Sequence, residues 1–280
     1  MCWITYVRCA RGGGNLKLAG QGFRGVEKVN KKCYISDMLH HYINKKAFTL
    51  AEVLITLGII GVVAALTLPS LINKYKIKQL EVAFKRSNSI ITNALNLTAE
   101  EFGYNNFKEL NSICGNVSKA DASSCRSINQ NTFEDISSFF ISRFKTASVL
   151  KSKDISSKNY KFTNYSNNTQ SNYNQLYGLN TYNTPHAQLN ILADGTAVTS
   201  IAFFYHEPSD GLSITFDTNG PEKGPNRYGY DIFLYNTGIW NKLCTKKQDG
   251  GIYNGRGCYD YALKDINPDD NSKGYWSSLY

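Results

Sequence analysis

The feature that most constrains the fold is an apolar run at residues 48–68, which reads FTLAEVLITLGIIGVVAALTL and contains Glu52 as its one charged residue. A helix rises about 1.5 Å per residue, so a helix over this run is about 30 Å long, the thickness of a bilayer's hydrocarbon core. Lys45 and Lys46 precede the run, and the positive-inside rule places them in the cytoplasm. We therefore predict a transmembrane helix over 48–68 with the following residues outside.

Composition and charge favour a folded extracytoplasmic region without a nucleic-acid partner. The chain has 280 residues, of which 42% are hydrophobic, enough for a packed core. Its net charge is +9, but residues 1–47 hold nine Lys/Arg against two Asp/Glu, and the remainder holds 22 against 20. The basic character therefore lies almost entirely in the N-terminal segment, and the rest of the chain lacks the charge of a nucleic-acid binder.

The apolar run has two interpretations, a secretory signal peptide and a retained membrane helix. Small residues at Val63-Ala64-Ala65 suit a signal-peptide cut before Leu66. Glu52 counts against that cut, because a carboxylate in an apolar helix costs about 2.5 to 3.5 kcal/mol on insertion. An acid at this depth is by default a functional residue, which favours the retained helix.

The residues KKAFTLAEVLI at 45–55 resemble the prepilin-type processing signal of type IV pilins and type II secretion pseudopilins. The resemblance implies that prepilin peptidase cuts between Ala47 and Phe48 and that the new N-terminal amine is methylated. Ala47 departs from the family's usual glycine at this position. Residues 1–47 are then a leader, and because Met38 opens a ten-residue leader of typical length, we expect 1–37 to be an upstream extension of the reading frame.

The same resemblance assigns roles along the helix. Cleavage leaves an α-amine with a pKa near 8 in an apolar setting, where it needs a counter-ion. In the family, the glutamate that Glu52 matches is thought to pair with the amine of an adjacent subunit; the alternative is a glutamate that snorkels to the cytoplasmic face. Gly58 and Gly61 allow close helix approach, and Pro69 is expected to kink the helix.

The remaining pattern predicts an α+β fold. Apolar residues continue at helical spacing from Ile72 to Thr98, and Gly103 is a plausible stop, so one helix is expected over 48–103. A second helix is expected from Thr132. Strand patterns flank Asp194-Gly195 and recur after it, so residues 104–280 are expected to form a head with a small antiparallel sheet packed on the long helix.

Two chemical features of this head remain open. Its cysteines form two local pairs, which favours disulfides in an oxidising compartment over free thiols or a zinc site: Cys114 with Cys125, and Cys244 with Cys258. The Cys244–Cys258 segment also resembles the disulfide-bounded loop of many pilin heads. A D-x-N-G…PN…G-x-D loop resembles one found in pilin-like heads, and it is read as a turn or as a calcium site formed by Asp217, Asn219 and Asp231.

These features point to a structural subunit of a type IV pilus or a type II secretion-like pseudopilus, anchored in the bacterial membrane before assembly. The implied partners are other pilin or pseudopilin subunits, prepilin peptidase and the inner-membrane assembly platform. The alternative is a monomeric membrane-anchored binding protein or adhesin. Catalysis is not expected, because the only histidines after the leader, His186 and His206, lie in no catalytic or metal-binding motif. No cofactor is expected, and calcium is the one alternative, should the loop with Asp217, Asn219 and Asp231 bind it.

Overall fold

The computed structural model describes residues 48–109, 130–176, 179, 188–204, 211–236 and 243–280. The described residues divide into two units, one that ends at Val62 and one that begins at Val63 and ends at Tyr280. Three residues with predicted roles lie outside the described residues: Ala47, Cys114 and Cys125.

The longest element is helix α1, which runs over 52 residues, Leu50–Glu101. Its end has the geometry that the sequence predicts for Gly103. Gly103 has a φ of +78°, its N–H donates to the Glu100 carbonyl at 3.1 Å, and the Tyr104 N–H donates to the Ala99 carbonyl at 2.9 Å. This pair of bonds is the Schellman motif, in which a left-handed glycine ends a helix and satisfies its last carbonyls.

The second half of α1 has one buried face. Its buried residues recur every three or four positions, as expected for a helix packed along one side: Leu80, Phe84, Ser87, Ile91, Ala94, Leu95, Thr98 and Ala99. The predicted apolar stripe began earlier, at Ile72 and Tyr75, but both side chains are exposed. The buried face of α1 therefore begins at Leu80, because helical spacing alone does not show where a partner surface begins.

The main sheet has six strands that pair only in antiparallel fashion: β1 Thr146–Lys151, β4 Gln188–Leu192, β5 Ala197–Thr199, β6 Ala202–Phe204, β7 Gly211–Asp217 and β8 Ile232–Asn236. Strand β7 lies in the middle, with β5 and β6 along one edge and β8 along the other. The predicted hairpin at Asp194-Gly195 is confirmed, since β4 and β5 flank that turn and Gly195 has a φ of +91°.

Smaller elements complete the head. Helix α2 covers Gln130–Ser142, so the second predicted helix is confirmed with a slightly earlier start. Short helices α3, Ser152–Ser157, and α4, Cys258–Lys264, follow along the chain. Strands β2, Lys161–Thr163, and β3, Gln170–Asn172, form a separate hairpin in a stretch that the sequence indicated as a loop or irregular strand region.

Two hydrophobic clusters hold these elements. The larger one joins α1, α2, the sheet and the C-terminal segment, and it includes Phe84, Phe140, Phe233 and Trp276. The smaller one packs α3 and the β2–β3 hairpin against the sheet through Ile155, Phe162, Tyr173 and Leu189. A long helix packed on a small antiparallel sheet confirms the predicted α+β, pilin-like fold class.

Candidate processing and assembly site

The start of α1 is held by a reciprocal pair of hydrogen bonds between Thr49 and Glu52. The Thr49 N–H and hydroxyl each donate to Glu52 Oε2 at 2.8 Å, and the Glu52 N–H donates to Thr49 Oγ1 at 3.2 Å. This arrangement is a capping box, in which two side chains satisfy amides that the first helical turn leaves unpaired. Glu52 therefore has a structural role within its own chain in addition to any role in assembly.

The first half of α1 presents apolar side chains on every side. Among the described helices, α1 alone is long and apolar enough to cross a membrane, and its apolar window is not buried in the structure. Gly58 and Gly61 are equally open, because a Cβ built on either residue meets no atom within 4 Å. Pro69 lies inside α1, which continues on both sides of it. Such a surface needs lipid or another protein to cover it.

The second half of α1 is fixed to the head by an aromatic cluster centred on Phe84, which is fully buried. The Phe84 ring lies 4.5 Å from the Phe233 ring and 5.4 Å from the Trp276 ring, measured between centroids. The rings of Tyr259 and Phe216 lie 5.7 and 6.2 Å away. Each such pair contributes about 0.5 to 1.5 kcal/mol beyond area burial, so this cluster stabilises the packing of the helix on the sheet and the C-terminal segment.

Polar contacts fix the register of that packing. Arg86 forms an ion pair with Asp194 in the β4–β5 turn, with Nε and Oδ2 3.1 Å apart. Ser87 and Thr196 share a buried hydrogen bond between hydroxyls at 2.9 Å. Because buried hydroxyls need partners, this bond penalises any sliding of α1 along the sheet.

The loop at 217–231, here called the Asp217 loop, contains the predicted calcium residues. The N–H groups of Asn219 and Gly220 donate to Asp217 Oδ1 at 3.1 and 2.9 Å, and the Tyr173 hydroxyl donates to Oδ2 at 2.7 Å. Asp217 thus forms an Asx-type turn and ties it to the β2–β3 region.

Asp231 closes the other end of the loop. Its Oδ2 accepts the Asn226 N–H at 2.8 Å, and its Oδ1 accepts the Arg227 N–H at 2.7 Å. Gly229, which lies between Arg227 and Asp231 in the sequence, has a φ of +75°, and a Cβ there would lie 2.5 Å from the Tyr165 ring. The D-x-N-G…PN…G-x-D pattern therefore describes one compact turn system in which both carboxylate oxygens of Asp217 and of Asp231 accept hydrogen bonds.

The same geometry bears on the predicted calcium site. Asp217 and Asp231 direct their oxygens to N–H and O–H donors, while the side-chain oxygens of Asn219 and Asn226 are buried without a partner. Within the described ranges, no three His, Cys, Asp or Glu side chains are grouped so that they could hold a metal ion. The hydrogen bonds of the turn satisfy the buried carboxyl groups of Asp217 and Asp231 without a metal ion, and calcium binding stays a prediction.

Burial affects the ionisation of both acids. The pKa of Asp217 is raised from 3.8 to about 6 because burial disfavours its charged form. The pKa of Asp231 is raised well above its usual value, first by burial and then by the nearby charge of Asp217. In the folded state these groups hold protons at pH values where the unfolded chain has released them, so folding is less favourable as pH rises.

We expect this pair to make the head less stable at neutral pH than in mild acid. Between pH 4.5 and 7.5 the Asp217 carboxyl alone accounts for a loss on the order of 2 kcal/mol, or a fall of about 4 to 8 °C in melting temperature. Full-length protein in neutral detergent, melted at pH 4.5 and 7.5, measures this fall, and Asp217→Asn should reduce it. Asp135→Asn, at an exposed position, is the control. An equal fall in wild type and Asp217→Asn would contradict the assignment.

The C-terminal segment is closed by a disulfide between Cys244 and Cys258, whose Cα atoms lie 5.0 Å apart. A loop of this size contributes about 3 kcal/mol in the chain-entropy model. Lys246 Nζ donates to the Leu279 carbonyl at 2.9 Å, and the buried Trp276 Nε1–H donates to the Ala262 carbonyl at 3.1 Å. These contacts hold the chain end beside the aromatic cluster.

Three of these features were not predicted from the sequence. The capping role of Thr49 was available in the T-x-x-E spacing of residues 49–52. The Tyr173–Asp217 hydrogen bond and the Arg86–Asp194 ion pair join residues that are 44 and 108 positions apart, and no local pattern indicates such pairs.

Comparison with known proteins supports the assignment at the N-terminal end. A family model described as the prokaryotic N-terminal methylation motif matches residues 43–68. That range contains the predicted cleavage site, the capping box and the apolar run. Neither the curated proteins nor the solved structures provide a match to the chain. The chain therefore carries a prokaryotic N-terminal methylation motif, consistent with a prepilin-type cleavage and methylation signal.

Proposed function

We propose that this protein is a structural subunit of a type IV pilus or a type II secretion-like pseudopilus. Prepilin peptidase cuts the precursor between Ala47 and Phe48 and methylates Phe48, and the inner-membrane assembly platform then adds the subunit to a filament. The subunit is first held in the membrane by α1 with its head outside. Its partners are other pilin or pseudopilin subunits, and it has no catalytic role.

The match of the methylation motif to residues 43–68 is the observation that carries this proposal. The structure supports it with a helix whose first half is apolar on all sides and whose second half belongs to a folded head. The open Cα positions of Gly58 and Gly61 suit close packing between helices of neighbouring subunits. These features together fit a helix that moves from lipid into a filament core.

A second candidate function is a monomeric, membrane-anchored binding protein or adhesin. The capping box favours it, because hydrogen bonding to Thr49 gives Glu52 a role that needs no neighbouring subunit. The two candidates differ in whether the glutamate's charge matters, so a variant that removes the charge and keeps the cap distinguishes them.

Processing tests the proposal directly. We expect nearly all of the protein from a host with prepilin peptidase to begin at methylated Phe48, and none of it to do so in a host without the peptidase. Intact mass and N-terminal sequencing of membrane-extracted protein make the measurement. Ala47→Gly restores the family's usual residue and should be cut at least as completely.

The matched control removes the competing cut. Ala65→Leu replaces the small residue that a signal peptidase needs before Leu66, but it leaves the prepilin site unchanged. The variant should therefore still begin at Phe48. An N-terminus at Leu66 in the wild type, lost in Ala65→Leu, would make the chain an ordinary secreted protein and end the pilin proposal.

A further inference from the structure

Strand β1 forms one end of the main sheet, because it pairs with β4 and with no other described strand. An end strand leaves the backbone N–H and C=O groups of alternate residues without a partner in the sheet, and these groups can pair with another chain. The other end of the sheet differs, since helix α4 packs against β8 there. The outer side of β1, here called the β1 edge, is therefore a place where a further strand can be added.

The side chains of β1 show that this edge is open to solvent. The consecutive residues Ala147, Ser148 and Val149 are all exposed, and the apolar Val149 side chain is 46% exposed. Leu150 is partly buried and packs against the smaller hydrophobic cluster, which fixes the strand to the head. From Ser148 to Lys151 the pairing with β4 is regular, so about 13 Å of regular strand is available on the outer side.

The residues on and beside the β1 edge are strongly basic. Residues 143–153 include four basic residues and no acidic one, whereas residues 48–280 as a whole have 22 basic and 20 acidic residues. The next acid, Asp154, accepts the Lys151 N–H at 3.1 Å, and counting it leaves four basic residues against one acidic, or +3. All four basic side chains are exposed, and none forms an ion pair with another described residue: Arg143, Lys145, Lys151 and Lys153.

This charge determines which strand the edge accepts. A second copy of β1 would bring the same lysines to the contact, and like charges opposite one another destabilise strand pairing. Among the described strands of this chain the one acid is Asp217, which is buried, so a second copy offers no acidic strand either. An acidic segment of a different protein meets the reverse condition, because its carboxylates attract the lysines while its backbone continues the hydrogen-bond ladder.

We propose that the β1 edge binds an acidic, extended segment of another protein, which adds to the main sheet as a further strand. Lys145 and Lys151, at the two ends of β1, attract the carboxylates of that segment, and the exposed Val149 contacts one of its apolar side chains. Arg143 and Lys153 extend the positive charge beyond the strand. The proposal concerns the surface of the head, so it depends on neither cleavage nor filament assembly.

Peptide binding to the full chain in neutral detergent tests this proposal, with fluorescence anisotropy as the readout. The probe is a short fluorescein-labelled peptide of valine, threonine and glutamate, and we expect it to bind about tenfold more tightly than its counterpart with lysine for glutamate. Methylation of alternate backbone amides keeps every charge but removes the N–H groups that pair with the edge, so it should weaken binding about tenfold. Lys145→Gln and Lys151→Gln should each weaken binding about threefold.

Lys264→Gln is the matched control, because Lys264 is also exposed but lies on α4, beside strand β8. This variant should bind the glutamate peptide like the wild type, and an equal loss in it would overturn the proposal. Equal binding of the methylated peptide would show charge attraction without strand addition, and equal binding of the lysine peptide would show that the edge does not select acidic segments. Absence of saturable binding would also overturn the proposal, and tighter binding of a single-stranded oligonucleotide would assign a nucleic acid instead.

Discussion

Phe84→Ala is expected to lower the free energy of unfolding of the head by about 3 to 5 kcal/mol, the range for truncating a fully buried phenylalanine. Phe84 contacts the four aromatic rings that join α1, the sheet and the C-terminal segment. Truncation therefore opens a cavity at the point where these three parts meet. Since a domain of this kind is stable by about 5 to 15 kcal/mol, the loss is a large share of the total.

Urea unfolding of the full chain in neutral detergent measures this change. Tryptophan fluorescence follows the transition, and Trp276, one of the chain's three tryptophans, contributes a local signal because its indole ring lies 5.4 Å from the Phe84 ring. Leu97→Ala is the matched control, since Leu97 is on the same helix but its side chain is exposed. The control should change the unfolding free energy by less than about 1 kcal/mol. A similarly small effect of Phe84→Ala would show that the cluster does not hold α1 to the head.

The sequence was most informative where one segment determines its own structure. The helix over the apolar run, its stop near Gly103 and the Asp194-Gly195 turn each depend on nearby residues, and all three match the structure. The end of the helix could be placed because glycine is the residue that most readily adopts the left-handed conformation there.

Elements that depend on distant partners were harder to predict. The Asn- and Tyr-rich stretch at 159–183 is polar in composition, yet Tyr165 and Tyr173 are buried. Asn164 explains part of the difference, because its amide donates to Asp249 Oδ1 at 2.9 Å and to the Gly251 carbonyl at 3.0 Å. Such contacts satisfy polar groups inside the head, but a polar composition alone resembles a solvated loop.

In the candidate site, too, features set by nearby residues could be predicted and features set by distant residues could not. The methylation motif is a continuous stretch of sequence, so cleavage could be predicted from neighbouring residues alone. The ion pair between Arg86 and Asp194 could not be predicted in this way, because these residues are 108 positions apart and meet only after α1 packs on the sheet.

Glu52→Gln is expected to reduce incorporation of the subunit into filaments at least tenfold, although its cleavage after Ala47 should stay nearly complete. Glutamine at this position still forms a capping box with Thr49, since Gln and Glu both occupy the third helical position of that motif. The substitution therefore removes the charge and keeps the cap. An N-terminal amine left without its counter-ion in an apolar filament core costs several kcal/mol, which exceeds a tenfold change.

Thr49→Ala is the complementary variant, because it removes the hydroxyl of the cap and retains the carboxylate of Glu52. It should cost about 1 kcal/mol of helix stability and leave incorporation within about threefold of the wild type. The measurement compares sheared filaments with membranes by immunoblotting, in a host that has the peptidase and the assembly platform. The opposite result would contradict charge pairing: Glu52→Gln would be incorporated like the wild type, and Thr49→Ala would be incorporated poorly. The glutamate would then act as a helix cap, as a monomeric anchor requires, and charge pairing between subunits would have no part in assembly.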